Sequence, residues 1–418
     1  MVESVKKLGD TYSVYSGFNR MILTQDPEFI EYVLKKNHKN YHKSRMVSQK
    51  LGRFIGHGLL TSNGSYWLRQ RRLIQPGFHI QKIQGLYAIM KKTVDDFLLK
   101  FPVGKEVEIY PLMNRLSFEI VTRTLFDIDM PEQSSNDLGN FISDVQEFVI
   151  RDIRQPHLSW WQVLSGEVSK NMRKAINARS ILTAIIRQRK ASSQKFNDLL
   201  DMLLDARYED SGEPMNEEQV LDEILILMIA GYETTANALS WTLYLLANHS
   251  EELEKLRQST KGLSFDESVR HPGLAAVINE SMRLYPPAWV SDRVALADDK
   301  FKGYSFPKGT IIVLFYYGLH RSEHYWTNAS LFKPDRFGSP TGSHGPKPEN
   351  SSAAYYPFGG GPRLCIGNNF ALAEMAIFLQ AFVHQFEIQP TMVIPRINPL
   401  ITLRPDKIML GISRRMAD

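Results

Sequence analysis

The most reactive side chain in this sequence is its single cysteine, Cys365, which follows three glycines, a proline, Arg363 and a leucine. A helix-forming run comes directly after it. Backbone N–H groups at a helix start favour a thiolate over a thiol, and the Arg363 cation acts in the same direction. Such a cysteine could be a buried structural residue. It could also be a nucleophile, although no His or Asp motif would serve it. A thiolate in an open, glycine-lined loop also suits an axial haem ligand.

Two further polar pairs have a spacing that could support chemistry. Glu233 and Thr234 interrupt an apolar helical stretch, which by itself predicts a helical kink beside an exposed carboxylate. Glu280 and Arg283 lie one helical turn apart and share a face, and by themselves they indicate an ordinary surface pair of little energetic value. Three histidines could in principle bind a metal, but none has metal-ligand spacing: His57, His79 and His320. We interpret His320 as structural.

The elements that must position these residues are mostly helices. Apolar periodicity predicts helices within 66–190 and at 197–207, 216–248, 272–284 and from Cys365 to about 386. Another helix begins at Asp26, an N-cap followed by Pro27. Strands are predicted within 11–24, 292–298 and 303–320, the tail is predicted to form a hairpin, and 40–65 and 338–351 are predicted to be irregular. The sequence therefore predicts one mainly α domain with a minor β part.

Composition excludes several classes of protein. The chain has 418 residues, of which 43% are hydrophobic and 23% charged, and its formal net charge is +5. One cysteine excludes an intramolecular disulfide framework and fits a reducing compartment. The absence of a long Lys/Arg run argues against nucleic-acid binding. The N-terminus lacks an apolar core, and the most apolar internal run, 224–232, is too short to span a bilayer. We therefore expect a cytoplasmic protein without a membrane anchor.

Residues 358–367, Phe-Gly-Gly-Gly-Pro-Arg-Leu-Cys-Ile-Gly, resemble the haem-binding loop of cytochromes P450 at every defined position. Other P450-like motifs follow the order expected for the family. Residues 230–235 resemble the oxygen-activation motif, 280–283 resemble the E-x-x-R pair, and 334–337 resemble the P-E-R-F element with Asp in place of Glu. Trp67 and Arg71 match the W-x-x-x-R motif. The resemblance is to a bacterial, soluble haem-thiolate monooxygenase and covers the chain from about residue 8.

The resemblance implies a P450 fold with haem b between the long central helix and the helix after Cys365, which would be the only metal ligand. Thr234 would hydrogen-bond dioxygen, Glu233 would relay protons through water, and Gly231 would let a locally widened helix pass close to the haem. Glu280, Arg283 and Arg336 would form a buried structural network. Predicted haem contacts are Trp67, Arg71, Ala230, Gly231, Arg293, Phe358, Gly359, Arg363, Ile366 and Gly367.

The same resemblance predicts a mostly apolar pocket that binds a small-molecule substrate. The enzyme would act on that substrate by hydroxylation or by oxidative O-demethylation. Predicted substrate contacts are Phe54, Ile55, Leu59, Ile226, Ala288, Trp289, Val290, Ile401 and Thr402. Core packing is the alternative role for each. The motif set also resembles P450s of Bacteroidetes-type bacteria, some of which demethylate 6-O-methyl-galactose. A P450-fold protein that binds or senses a ligand without turnover is the other alternative, and Glu233 with Thr234 argues against it.

The chain ends shortly after the tail hairpin, and we therefore expect electrons from NAD(P)H to arrive through a separate ferredoxin or flavodoxin with its reductase. Docking would use a basic face that includes Arg69 and Arg72. The family's N-terminal proline-rich segment is missing from this sequence. Residues 1–418 show no internal repeat and no clean linker, and are therefore expected to form a single P450 domain. We expect a monomer.

Overall fold

The structure of the protein is a computed structural model, which describes residues 1–16, 19–192, 194–196, 198–338 and 354–415. Helices make up most of it, as the periodicity predicts. The α-helices are α1 (Val2–Leu8), α2 (Pro27–Glu31), α3 (Gly52–Ile55), α4 (Gly64–Ile74), α5 (Ile80–Leu99), α6 (Ile109–Phe126), α7 (Glu132–Arg154), α8 (Ser159–Leu164), α9 (Glu167–Ala191), α10 (Leu199–Asp205), α11 (Glu217–Ala247), α12 (Ser250–Thr260), α13 (Phe265–Arg270), α14 (Pro272–Leu284), α15 (Tyr316–His320) and α16 (Asn368–Gln385).

The strands are short and form small sheets. They are β1 (Thr11–Ser16), β2 (Asn19–Thr24), β3 (Tyr41–His42), β4 (Gly104–Glu108), β5 (Ser291–Ala295), β6 (Asp299–Phe301), β7 (Tyr304–Phe306), β8 (Ile311–Leu314), β9 (Phe386–Pro390), β10 (Ile397–Pro399), β11 (Leu403–Pro405) and β12 (Met409–Arg414). The largest sheet has the order β1-β2-β8-β5-β3. Within it, β1 and β2 are antiparallel, whereas β2 and β8 are parallel.

The chain divides into two compact units. The first comprises Met1–Tyr41, Ile83–Ile120 and Glu233–Asp418, and the second comprises His42–Lys82 and Val121–Tyr232. In the first unit, one core cluster packs aliphatic residues of β2, β8 and α2 against aromatic side chains that include Tyr316, Trp326 and Tyr356. The single-domain interpretation from the sequence stays a prediction.

Several predicted elements are confirmed at close to their predicted bounds. Asp26 caps α2 by accepting hydrogen bonds from the backbone N–H groups of Glu28 and Phe29, and Pro27 occupies the first turn. The strands β1 and β2, and the helices α11, α14 and α16, also occur where the sequence predicts them. The predicted irregular stretch 338–351 lies almost entirely outside the described residues.

Three local predictions are wrong. The 40–65 stretch is not irregular throughout, because it contains a π-helical turn at Met46–Leu51 that continues into α3. The tail is not one hairpin: β10 pairs with β11, whereas β12 pairs with β4 and β9. The helix α11 continues as an α-helix through Gly231, where the sequence predicted a local widening. The strand pairing of the tail depends on partners that are distant in the sequence, and no local sequence pattern encodes such partners.

Among the described residues, no helix combines the length and the apolarity that a membrane crossing requires.

Candidate functional site

The loop that carries Cys365 is closed by its own backbone. The Cys365 N–H donates to the carbonyl of Phe358 at 3.0 Å, and the Leu364 N–H donates to the carbonyl of Gly361 at 3.0 Å. The Cys365 side chain is exposed and lies three residues before Asn368, where α16 begins. A helix N-terminus favours the thiolate form. The loop therefore presents a soft anionic ligand at a position that its backbone holds in place.

The loop also packs directly on the backbone of an earlier segment. Gly361 has a φ of 64°, and a Cβ at this position would lie 1.9 Å from the carbonyl oxygen of Leu34. Leu34 belongs to the π-helical turn Tyr32–Lys36 that follows α2. Only glycine allows both this φ and this approach, so Gly361 fixes how closely the loop packs on Leu34.

A buried ion-pair network lies in the same unit. Arg283 donates two hydrogen bonds to the Glu280 carboxylate, from Nε at 2.7 Å and from Nη2 at 2.8 Å. Arg336 Nε donates to Glu280 Oε1 at 3.2 Å. Both Glu280 and Arg283 are fully buried, which excludes the surface-pair interpretation. The structure therefore brings together the three residues that the sequence grouped.

The network also binds backbone carbonyls from the 320–331 segment. Arg283 Nη1 donates to the carbonyls of His320 and Ala329, each at 2.7 Å, and Nη2 donates to the carbonyl of Leu331 at 3.0 Å. The His320 ring then accepts, at Nε2, the backbone N–H of Tyr356 at 2.9 Å. Tyr356 lies on the segment that leads to Cys365. One continuous chain of contacts thus joins α14 to that segment.

His320 acts in this chain as a neutral side chain. Burial in the protein lowers the pKa of His320 to about 3, with a further contribution from the positive charge of Arg283. Because Nε2 accepts a hydrogen bond, the ring proton is on Nδ1. This position agrees with the structural role expected for His320.

In the middle of α11, solvent-accessible residues occur only around positions 230–234. Within residues 221–243, all of which the structure describes, only Ala230, Gly231 and Thr234 are not buried. Ala230 and Thr234 are four residues apart and therefore share a face of the helix. Within residues 221–243, Thr234 therefore carries the only hydroxyl that is not buried.

Glu233, next to Thr234, is buried and hydrogen-bonded. Its Oε1 accepts a hydrogen bond from the Thr402 hydroxyl at 2.6 Å. The Thr402 oxygen in turn accepts one from Asn237 Nδ2 at 3.0 Å. The expectation of a substrate contact at Thr402 did not include this bond to the acidic residue.

In the second unit, two consecutive carboxylates of α11 hold the predicted substrate loop. Asp222 accepts the backbone N–H of His57 at 2.7 Å and an Arg179 hydrogen bond at 2.6 Å. Glu223 accepts the backbone N–H of Leu59 at 3.0 Å. Burial raises the pKa of Glu223 to about 8. Neither carboxylate was predicted as a site residue from the sequence, although two acidic residues at the start of an apolar helical run are a visible signal.

The predicted substrate contacts differ in accessibility. Of those in the second unit, Phe54, Ile55, Leu59 and Ile226 are buried, and Phe54 packs edge-on against Phe148 with a ring separation of 5.6 Å. Of those in the first unit, Ala288 is exposed, and Trp289, Val290 and Ile401 are half-buried. The burial of the four residues in the second unit agrees with the core-packing alternative. The residues in the first unit offer surface that a substrate could contact.

The predicted haem-contacting cations occupy different surroundings. In the first unit, Arg293 on β5 is 8% exposed and Arg363 is half-buried. In the second unit, Trp67 and Arg71 lie on α4 and are half-buried, and Arg71 Nε donates to Gln75 Oε1 at 3.3 Å. Arg293 Nη1 donates to the carbonyl of Asp292 at 2.6 Å, and the guanidinium has further N–H donors of the kind that suit a carboxylate-bearing ligand.

The two arginines expected to face a redox partner have acidic neighbours in their own unit. Arg69 lies 2.7 Å from Asp210 and stacks on Tyr208, and Arg72 lies 3.6 Å from Glu209. These pairs border a groove of about 830 Å³ between α4 and the 202–210 segment. The pairing reduces the positive charge that this surface offers to an acidic partner.

The residues of the first unit fit a haem held through one thiolate. Among the described residues, no group of three His, Cys, Asp or Glu side chains could hold a metal ion. The exposed Cys365 supplies a soft sulfur donor of the kind that suits haem iron, and the macrocycle would supply the other ligands. The accessible Thr234 hydroxyl and the buried Arg293 supply the polar groups that such a site requires.

Comparison with known proteins agrees with this chemistry. The family model "Cytochrome P450" matches residues 1–412. Cytokinin hydroxylase of Arabidopsis thaliana is 31% identical over 91% of this chain and 76% of that protein. Cyclooctat-9-en-7-ol 5-monooxygenase of Streptomyces melanosporofaciens is 28% identical over 91% and 83%. The crystal structure of the cytochrome P450DA heme domain has the same fold, with a TM-score of 0.86 and 23% identity over 99% of this chain and 92% of that chain. This chain belongs to the cytochrome P450 family.

Proposed function

We propose that this monooxygenase inserts one oxygen atom into an apolar small molecule, by hydroxylation or by oxidative O-demethylation. As a P450 the chain uses haem b, O2 and electrons that originate from NAD(P)H and arrive through redox partners. The polar pair on α11 is the observation that carries the proposal. Thr234 lies at the one accessible place of residues 221–243, and Glu233 beside it is buried and hydrogen-bonded.

That pair favours turnover over ligand sensing. A protein that only binds a ligand needs no proton donor beside it, whereas oxygen reduction consumes protons. A carboxylate adjacent to a hydroxyl supplies a path for them. The same pair disfavours an enzyme driven only by peroxide, which arrives already protonated.

Each proposed role follows from the chemistry of the side chain. Cys365 is proposed as the thiolate ligand, and haem bound there supplies the oxygen-activating chemistry. Thr234, which is partly exposed, is proposed to donate a hydrogen bond to dioxygen, and Glu233 is proposed to hold and transfer a proton. Glu280, Arg283 and Arg336 are proposed to keep the 320–331 segment in position and, through the bond between His320 and Tyr356, the Cys365 loop as well. The remaining haem contacts are proposed on the family resemblance: Trp67, Arg71, Ala230, Gly231, Arg293, Phe358, Gly359, Arg363, Ile366 and Gly367.

The ligand role of Cys365 predicts a spectrum. The carbon monoxide complex of the reduced protein should show the red-shifted Soret band of thiolate ligation. Cys365→His should retain haem but move this band to the position typical of imidazole ligation, because the ligand atom changes from sulfur to nitrogen. A thiolate spectrum that persists in folded Cys365→His protein would contradict the assignment.

The Thr234 hydroxyl predicts a change in coupling. Thr234→Ala should keep haem and substrate binding but release more peroxide per NAD(P)H consumed, because a proton donor is lost. Thr234→Ser retains the hydroxyl and serves as the control, with coupling close to that of the wild type. Equal peroxide yields in the alanine and serine variants would argue against the role.

We propose to identify the substrate by measuring turnover of a panel of compounds, with a surrogate ferredoxin system as the electron donor. The panel comprises fatty acids, steroids, a cytokinin, a terpenoid alcohol such as cyclooctat-9-en-7-ol, and methylated sugars. The cytokinin and the terpenoid alcohol enter because two relatives are named for them. Product from 6-O-methyl-galactose alone would favour the demethylase alternative, and a spectral response without any product would favour the sensing alternative.

The electron donor is proposed to be a ferredoxin or flavodoxin with its reductase. The ion pairs of Arg69 and Arg72 reduce the basic surface on α4, so electrostatic steering there should be weaker than the sequence indicates. A monomeric state and a cytoplasmic location remain predictions from the sequence.

A further inference from the structure

One face of α11 is bonded to the turn between β10 and β11 at three successive helical turns. Glu233, Asn237 and Trp241 are spaced by four residues and therefore form one stripe. Glu233 and Asn237 bond the Thr402 side chain, and Trp241 Nε1 donates to the carbonyl of Leu403 at 3.2 Å. The stripe fixes the turn against the helix beside the proposed proton donor.

The turn is also held by the segment 287–289. Trp289 Nε1 donates to the carbonyl of Leu400 at 3.0 Å, and the Leu403 N–H donates to the carbonyl of Pro287 at 2.9 Å. Both bonds use backbone atoms, of Leu400 and Leu403, so they do not depend on which side chain occupies position 402. A change at Thr402 should therefore leave the course of the turn intact.

The direction of the hydrogen bonds follows from the chemistry of the groups. The Asn237 amide nitrogen can only donate, so the Thr402 oxygen accepts at that contact. The Thr402 hydroxyl hydrogen is then directed to Glu233 Oε1, 2.6 Å away. Asn237, Thr402 and Glu233 thus form a directed chain that ends on an accepting carboxylate oxygen.

This carboxylate lies in a buried polar environment. Tyr110 is buried, and burial together with the charge of Glu233 raises the pKa of Tyr110 above its usual range. The Arg404 guanidinium lies 4.6 Å from the Tyr110 ring centroid and opposes that shift. In such surroundings a carboxylate without a fixed donor can adopt other rotamers, and a hydrogen bond to a charged group is stronger than one between neutral groups.

We infer that Thr402 and Asn237 are positioning residues that hold the Glu233 carboxylate in the conformation from which it transfers protons. The inference rests on the proposed function, because it assigns the relay role to Glu233. It departs from the expectation that Thr402 contacts substrate. Loss of the Thr402 hydroxyl would remove from the buried carboxylate the donor that lies 2.6 Å from its Oε1.

The test uses the haem-loaded enzyme and isosteric variants. Thr402→Val removes the hydroxyl and keeps the shape, Thr402→Ser keeps the hydroxyl, and Glu233→Gln removes the charge. Thr242→Val is the matched control, because Thr242 is another buried α11 threonine that bonds the carbonyl of Ala238 and the hydroxyl of Ser281 instead. The probe is carbon monoxide, whose infrared stretch reports the field of nearby polar groups, and it requires no known substrate.

The second readout is the fraction of NAD(P)H-derived electrons released as peroxide during oxygen reduction without organic substrate. We expect Thr402→Val to shift or split the carbon monoxide band. We also expect it to raise the peroxide fraction above the wild-type value, by at least half of the increase that Glu233→Gln produces. Thr402→Ser should keep the wild-type band position, and Thr242→Val should do the same. In the Glu233→Gln background, Thr402→Val should add less than it does alone, because the two act through one contact.

The outcomes separate the two hypotheses. If Glu233→Gln leaves the peroxide fraction unchanged, the relay role of Glu233 is wrong and the inference fails with it. If Glu233→Gln raises the peroxide fraction but Thr402→Val changes neither the band nor the fraction, the relay role stands and the positioning role is wrong. Equal, additive effects of Thr402→Val in both backgrounds would also overturn the inference, since Thr402 would then act independently of Glu233.

Discussion

Gly361→Ala is expected to lower the unfolding free energy by about 3–5 kcal/mol and to yield protein with little bound haem. Two costs combine at this position. The left-handed φ of 64° penalises any residue with a Cβ, and that Cβ would lie 1.9 Å from the Leu34 carbonyl oxygen. The oxygen belongs to the backbone, so no side-chain rotation relieves the overlap. Either the Cys365 loop or the Leu34 turn must move.

Gly359→Ala is the matched control. Gly359 also has a left-handed φ, of 72°, but a Cβ there would meet no heavy atom within 4 Å. Only the conformational cost applies, which is about 1–2 kcal/mol. Thermal unfolding midpoints and haem-to-protein ratios of both variants measure the difference. A Gly361→Ala protein as stable as Gly359→Ala would show that the Leu34 contact is not close in solution.

Glu280→Gln is expected to cost about 3–5 kcal/mol, because it removes the carboxylate that pairs with two arginines in a buried network. Arg283 and Glu280 are fully buried, and Arg336 Nε lies 3.2 Å from Glu280 Oε1. Glutamine would keep some hydrogen bonds but would leave the Arg283 charge buried without an anion. The loss should extend to the haem content, because Arg283 holds the carbonyl of His320, whose ring binds the backbone of Tyr356.

Glu252→Gln controls for the chemistry of the substitution. Glu252 and Lys255 have the same three-residue spacing on α12, but the Lys255 side chain is 50% exposed. An exposed pair contributes about 0–1 kcal/mol, so this variant should unfold close to the wild type. The comparison is made on unfolding midpoints at several salt concentrations. If Glu280→Gln is as mild as Glu252→Gln, the network is not the brace that its burial indicates.

Local sequence patterns were sufficient for much of the fold. The cap at Asp26 and Pro27 and the long apolar periodicity of α11 depend on neighbours within one or two turns, and both elements occur as predicted. The π-helical turn before α3 was missed, because the 40–65 stretch carries no strong periodicity. The pairing of β12 with β4 and β9 was also missed, because strand partners lie far apart in the sequence.

The sequence by itself determined the family, since the order and spacing of Cys365, Glu280, Arg283 and the 230–235 motif are specific to P450s. The resemblance to the family also identified Glu280, Arg283 and Arg336 as a buried network, whereas the spacing of Glu280 and Arg283 alone indicated a surface pair. Tertiary structure alone decided which atoms those side chains bind. The bond from Thr402 to Glu233 joins residues 169 positions apart, and the contact between Gly361 and Leu34 joins two distant loops. No local propensity encodes such contacts, because they form only when packing brings separate segments together.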